Sequence, residues 1–189
     1  MKTLAILLLL LFLTAIGAIG AIGAIGLLWS GRLDVSAGNS PSPLVEWVMH
    51  SVMQRSVRAH ASGIQPPTNL ADRAAQGARD FDEMCAQCHG APGKEPGEVG
   101  QGLNPRPPSL RDAAPRWTSS ELFWIVKNGI RMTGMPAFGP THEDNRIWAI
   151  VSFVQQLPTM TPAQYGERTS PSVNAPSHSH EQHDHKHAH

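Results

Sequence analysis

Apolar residues fill the chain from Leu4 to Trp29 almost without interruption, with no charge and Thr14 as the one polar side chain. A helix of that length crosses a bilayer core of ~30 Å. The competing reading is a cleaved signal peptide, whose apolar stretch is usually shorter. Val35-Ser36-Ala37 resembles a cleavage signature but lies well past the apolar end. Length favours an uncleaved transmembrane anchor over residues 1–31. Within it Ala-Ile-Gly recurs from Ala15 to Gly26, setting Gly17 four before Ala21 and Gly20 four before Ala24. Such spacing permits close helix–helix approach, yet small residues are common in membrane helices without any partner.

Beyond a polar, proline-containing stretch from Ser36 to Pro43, the period changes. Leu44, Trp47, Val48, Val52 and Met53 recur at three- and four-residue steps, predicting a helix from Leu44 to Ala61 that Pro66-Pro67 ends. This helix either lies on the membrane surface or packs on the next domain. Further helices are predicted over Asp72–Met84, Trp117–Asn128 and His142–Leu157. The second carries Thr118 and Glu121 at capping-box spacing, with Gly129 as a stop. The third has the apolar stripe Ile147, Ile150, Val151 and Val154, and Pro158 closes it. No segment alternates like a strand, so the fold class is all-α. From Thr161 the chain turns polar and proline-spotted and is expected to be disordered. The organisation is then an anchor (1–31), a linker with a membrane-proximal helix (32–68), one compact domain (69–160) and a tail (161–189).

Fifteen basic residues balance fifteen acidic ones, and no basic stripe points to nucleic acid. Plentiful glycine and proline predict a loop-rich domain, which buries limited apolar surface and usually needs a metal or cofactor to hold it. The cysteine arithmetic supplies one. The only two cysteines stand in Cys85-Ala86-Gln87-Cys88-His89. This Cys-x-x-Cys-His spacing reads as attachment of a c-type haem. Two thiols one helical turn apart can each add across a vinyl group of one porphyrin, and the following imidazole then ligates the iron. A thiol–disulfide site would want a βαβ context, and a zinc site a second ligand pair; neither is present in the sequence.

An iron used for electron transfer takes a sixth ligand, and a thioether beside histidine raises the potential. Met132 and Met135 lie in the right region. Met135 is the choice, because Gly134 and Pro136 bend and stiffen the backbone around it; Met132 is the alternative ligand, and the competing reading for either is an apolar gap-filler.

With these residues in place, positions 69–160 resemble a bacterial class I cytochrome c, like the domains that accompany alcohol dehydrogenases and haem–copper oxidases. The resemblance implies a small helical bundle around one covalent haem, with Thr133-Gly134-Met135-Pro136 as its methionine loop. It implies that Gly77 and Phe81 pack against Ile150 and Phe153 of the last helix. It also implies that Pro105-Arg106-Pro107-Pro108-Ser109-Leu110 runs beneath the haem, where the carbonyl of Pro107 or Pro108 accepts a hydrogen bond from the proximal imidazole. Haem is attached to such chains outside the cytoplasm. That sets the orientation, which Lys2 and Arg32 on either side of the span leave ambiguous.

The implied activity is outer-sphere transfer of one electron, with no open coordination position and hence no catalysis. The implied location is the periplasmic face of a bacterial inner membrane, with redox proteins as donor and acceptor. The connector would let the domain swing between them unless the 44–61 helix stiffens it. A permanent subunit of a membrane dehydrogenase or oxidase is the main alternative, and a sensor or catalyst with an open iron is another.

Histidines outside the motif carry less. His50 and His60 bind a metal or a partner's haem, or are plain surface residues, and no ligand cluster surrounds them; His142 is expected to be solvated. The tail holds His178, His180, His183, His185, His187 and His189. Such a tract binds divalent metals with modest affinity or merely solubilises the chain. Metal handling is therefore a further alternative function.

Overall fold

The computed structural model describes residues 2–39 and 41–170, in two compact units that divide between Pro41 and Ser42. The first is built on α1 (Lys2–Trp29), the one described helix long and apolar enough to cross a membrane. At 1.5 Å per residue it is about 42 Å long. Thr14 donates its hydroxyl to the Leu11 carbonyl (2.9 Å), so the one polar side chain in the apolar run is satisfied within the helix.

The second unit is helical, and among its described residues the only extended pairing is an isolated bridge between Ala91 and Lys94. α2 spans Pro43–Ala61, α3 Ala74–Asp80, α4 Ala86–His89, α5 Glu98–Gly102, α6 Leu110–Ala113, α7 Ser119–Asn128, α8 Asp144–Val154 and α9 Pro162–Thr169. The sequence expectation of an all-α class I cytochrome architecture holds for this unit.

The crossing of α3 on α8 organises the core. Gly77 lies so close to α8 that a Cβ there would sit 2.1 Å from the Ala149 carbonyl oxygen. One turn on, Phe81 meets Phe153 with ring centroids 5.4 Å apart. The α8 stripe Ile147, Ile150, Val151 and Val154 is buried, and so is every residue between Ile147 and Val154, so this part of α8 is enclosed on all sides. α7 closes the other side through a Phe123–Trp148 stack at 4.2 Å. Thr118 and Glu121 form both halves of the capping box, and Gly129 ends the helix at φ 66°.

Four expectations are corrected. The single helix expected over Asp72–Met84 is instead a 3₁₀ turn (Leu70–Arg73), α3, and a π turn (Phe81–Cys85) that runs into α4. In the π turn the Ala86 N–H reaches back five residues to the Phe81 carbonyl. The chain after Thr161, expected to be disordered, continues as α9. Thr161 and Gln164 cap it reciprocally, and Tyr165 is buried beside Phe81 and Phe153, which outweighs the polar composition around it. The tail beyond residue 170, with all six of its histidines, lies outside the described residues.

The third correction concerns the domain boundary, drawn at residue 69; of the two alternatives for the 44–61 helix, packing on the domain holds. α2 belongs to the domain's own unit, because Val57 and Ala61 are buried where its C-terminal half meets α7, His60 rests on Trp124 at 5.4 Å, and Ser120 donates to the Ile64 carbonyl. Fourth, His142 precedes α8 instead of starting it and is not simply solvated. Its ring hydrogen-bonds to Thr141, lies 3.2 Å from the Met84 sulfur and meets Phe138 edge-on. Burial first, and then the charge of Arg146, hold its pKa below the ordinary histidine range.

Candidate functional site

The helix broken before Cys85 delivers the whole motif. Phe81 anchors the π turn in the core, and Ala86, fully buried, anchors α4. Between these points the backbone carries Cys85, buried, and leads on to Cys88, half-buried, neither of them in a disulfide. Burial, with the nearby Asp80 charge, pushes the Cys85 thiol up to about 12. α4 stops at His89 because Gly90 takes φ 67°, and a side chain at that position would strike the Lys94 carbonyl. The loop then returns, with Gly97 N–H donating to the Gln87 carbonyl (2.9 Å), and α5 lays Gly100 against the Cys88 backbone at a distance that leaves no room for a Cβ.

His89 Nδ1 lies 2.8 Å from the carbonyl oxygen of Pro108. A carbonyl only accepts, so the ring donates from Nδ1 and, when neutral, keeps its lone pair on Nε2. Burial holds the His89 pKa below the usual value, with the Pro108 hydrogen bond opposing it, which favours the neutral, ligating form. Of the two prolines expected from the sequence, Pro108 makes the contact. Carbonyls carry no side-chain signature, so the sequence leaves the choice open.

The methionine loop is held along its length. Ile130 N–H donates to the Met135 carbonyl, Phe138 N–H to the Val126 carbonyl and Gly139 N–H to the Lys127 carbonyl. Thr133 donates to the Ile130 carbonyl at 2.7 Å and accepts from Met135 N–H at 3.1 Å. Gly129 permits this wrap, because a Cβ there would lie 2.7 Å from the Met135 carbonyl oxygen. The two methionines differ sharply. Met135 is half-buried against the core, whereas Met132 has φ 60° and is 80% exposed.

Sequence reasoning missed the residues that brace the motif from outside it. Asp82, within the π turn, accepts from Tyr165 (2.6 Å) and from Lys94 (2.8 Å), tying α9 and the Gly90 loop to the segment before Cys85. Burial alone would push the Asp82 carboxyl up; those two hydrogen bonds outweigh it and hold the carboxyl below its ordinary range. Asp80 receives two hydrogen bonds from Arg146 of α8, at 2.6 and 2.7 Å. Thr161 and Gln164 at capping-box spacing, with Pro162 at the first helical position, are the local signals of α9. His50 pairs with Gln54, and among the described residues no group of three or more His, Cys, Asp or Glu is placed to hold a metal ion.

A helical unit that carries Cys-x-x-Cys-His on a short helix, with its histidine oriented by a proline carbonyl and a braced methionine loop downstream, is a class I c-type cytochrome domain. Residues 72–154 match the family model described as cytochrome C oxidase, cbb3-type, subunit III. No curated protein matches the chain. A domain of this class carries a covalently bound haem c and serves as an electron carrier. The donor set fits that group: two unpaired thiols one helical turn apart, an imidazole whose Nδ1 is engaged by Pro108, and a half-buried methionine whose backbone is held in its loop.

Proposed function

We propose that this chain is a membrane-anchored electron-transfer cytochrome that works on the periplasmic face of a bacterial inner membrane. In this reading Cys85 and Cys88 hold the haem, His89 and Met135 ligate its iron, and α1 keeps the domain beside membrane redox complexes. Bound haem supplies a one-electron couple. The chain's own residues set that couple: Pro108 fixes the His89 ring and raises its basicity, and the Thr133 and Gly129 contacts hold Met135 in one loop conformation. Little has to move when the charge changes, which suits repeated transfer.

The observation that carries the reading is the 2.8 Å contact from His89 Nδ1 to the Pro108 carbonyl, because it leaves Nε2 as the coordinating atom. The test is the optical spectrum and potential of the purified protein beside Met135→Ala and Met132→Ala. Loss of sulfur ligation in Met135→Ala should lower the potential by more than about 0.1 V. Met132→Ala should leave both measurements unchanged. A colourless wild-type protein, or a Met135→Ala protein with an unaltered spectrum, would refute it.

The match to a model of an oxidase subunit favours a second reading, in which the chain is a fixed subunit of a larger complex rather than a free shuttle. Stoichiometric co-purification in mild detergent would establish that reading; recovery of this chain alone would favour the shuttle.

A further inference from the structure

α2 has two apolar sides, and only one of them is covered. Val57 and Ala61 are buried, where the helix meets α7. At 3.6 residues per turn, Leu44, Val45, Val48, Met49 and Val52 fall on a continuous stripe nearly opposite those two. All five are exposed; Val52 is 57% exposed where Val57 is 0%. Glu46, the one acid of the helix, lies off the stripe. Trp47 lies as far from it on the other side, Arg55 follows at its far end, and Arg58 turns to Glu121 of α7.

A contiguous apolar face of this kind marks a contact site, and two candidates for it differ in size. A second copy of this chain would gain roughly 400 Å² from five side chains, well below the ~800 Å² per partner that a stable interface buries. A lipid surface needs no minimum area and is held close by. α1 ends at Trp29 and α2 starts at Pro43, so residues 30–42 connect them. Even fully extended, that connector spans no more than about 45 Å. A weak apolar surface tethered this near a bilayer meets lipid at high effective concentration. A short apolar stripe with an arginine at its end is also the pattern of a helix lying in a membrane interface.

The geometry points to a second membrane contact: α2 lies in the headgroup region with the Leu44–Val52 stripe in the acyl boundary. The contact holds the cytochrome domain against the bilayer instead of leaving it on a free tether, and so limits which side of the domain its redox partners reach. The inference rests on the proposal that α1 is a retained anchor, and the experiment separates the two.

Full-length, haem-loaded protein is reconstituted into vesicles of phosphatidylcholine and phosphatidylglycerol as Val48→Cys, Glu46→Cys and Ile16→Cys variants, with the native thiols consumed by haem. Each is treated with a membrane-impermeant maleimide. All three positions are exposed, so these substitutions leave the fold intact. Val48→Cys should react at least roughly tenfold more slowly than Glu46→Cys, at every protein-to-lipid ratio, with Ile16→Cys unreactive until detergent is added. Equal rates at positions 46 and 48 with position 16 protected would overturn the α2 contact and leave the anchor standing. Reaction at position 16 in intact vesicles would overturn the anchor and this inference with it. Protection at position 48 that disappears on dilution into excess lipid would assign the stripe to a second copy and overturn the lipid contact.

Discussion

Replacing Gly77 with alanine adds one methyl group at the tightest point of the domain. The new Cβ would sit 2.1 Å from the Ala149 carbonyl oxygen, 2.3 Å from its carbon and 2.6 Å from the Ile150 nitrogen. Ordinary contact between such atoms is about 3.3 Å, so α3 and α8 must part by about 1 Å. All three obstacles are backbone atoms inside a hydrogen-bonded helix, so no rotamer change absorbs the clash. Parting the helices also opens the Phe81–Phe153 contact one turn away. Overpacking of this kind costs about 1–3 kcal/mol, and a backbone obstacle places it at the upper end. Against a total stability of about 5–15 kcal/mol, a loss of about 3 kcal/mol should lower a guanidinium midpoint by roughly 1 M. The assay is denaturation of the haem-loaded protein followed by far-ultraviolet circular dichroism. Two controls sharpen it. Ala149→Gly should not rescue Gly77→Ala, because the clash is with a carbonyl and not with a side chain. Gly166→Ala in α9, where a Cβ meets nothing within 4 Å, should be neutral or stabilising by about 0.5–1 kcal/mol. A Gly77→Ala protein within about 0.5 kcal/mol of wild type would refute the close-crossing account.

Tyr165→Phe removes the hydrogen bond to Asp82 and should cost about 1–2 kcal/mol by the same denaturation assay. It should also flatten the acid limb. The folded Asp82 carboxyl is held low, so its contribution is present above the ordinary carboxylate pKa of about 3.9 and drains away as pH falls through the folded value. Stability measured at stepwise lower pH below about 4 should therefore fall less steeply in the variant than in wild type. Arg146→Met leaves the mostly covered Asp80 carboxylate without its two-point partner, and a loss of about 1–2 kcal/mol is expected, smaller than for a fully buried pair because the arginine is half exposed. Thr118→Ala breaks the capping box of α7 and should cost about 1 kcal/mol, whereas Thr118→Ser should cost little; a thermal melt of both variants checks this.

Much of this protein is local and was legible without a fold. The uninterrupted apolar run makes α1, because neither charge nor proline breaks it. The stripe from Ile147 to Val154 makes α8, and Thr118 with Glu121 and Gly129 sets the ends of α7. The spacing of Cys85, Cys88 and His89 is itself the chemistry, since adjacent side chains act on one ring. What the sequence left open depends on contacts between distant segments. A π turn differs from an α turn by one residue of register, which composition does not record. Tyr165 stands in a polar stretch and reads as disorder until Phe81, Phe153 and Asp82 gather around it. Pro107 and Pro108 are alike as residues, and only the path of the returning loop decides whose carbonyl meets the imidazole. The periodicity of α2 marks a helix with an apolar face, but burial belongs to pairs of surfaces, so only the placement of α7 determined that Val57 and Ala61 are covered and the Leu44–Val52 side left bare.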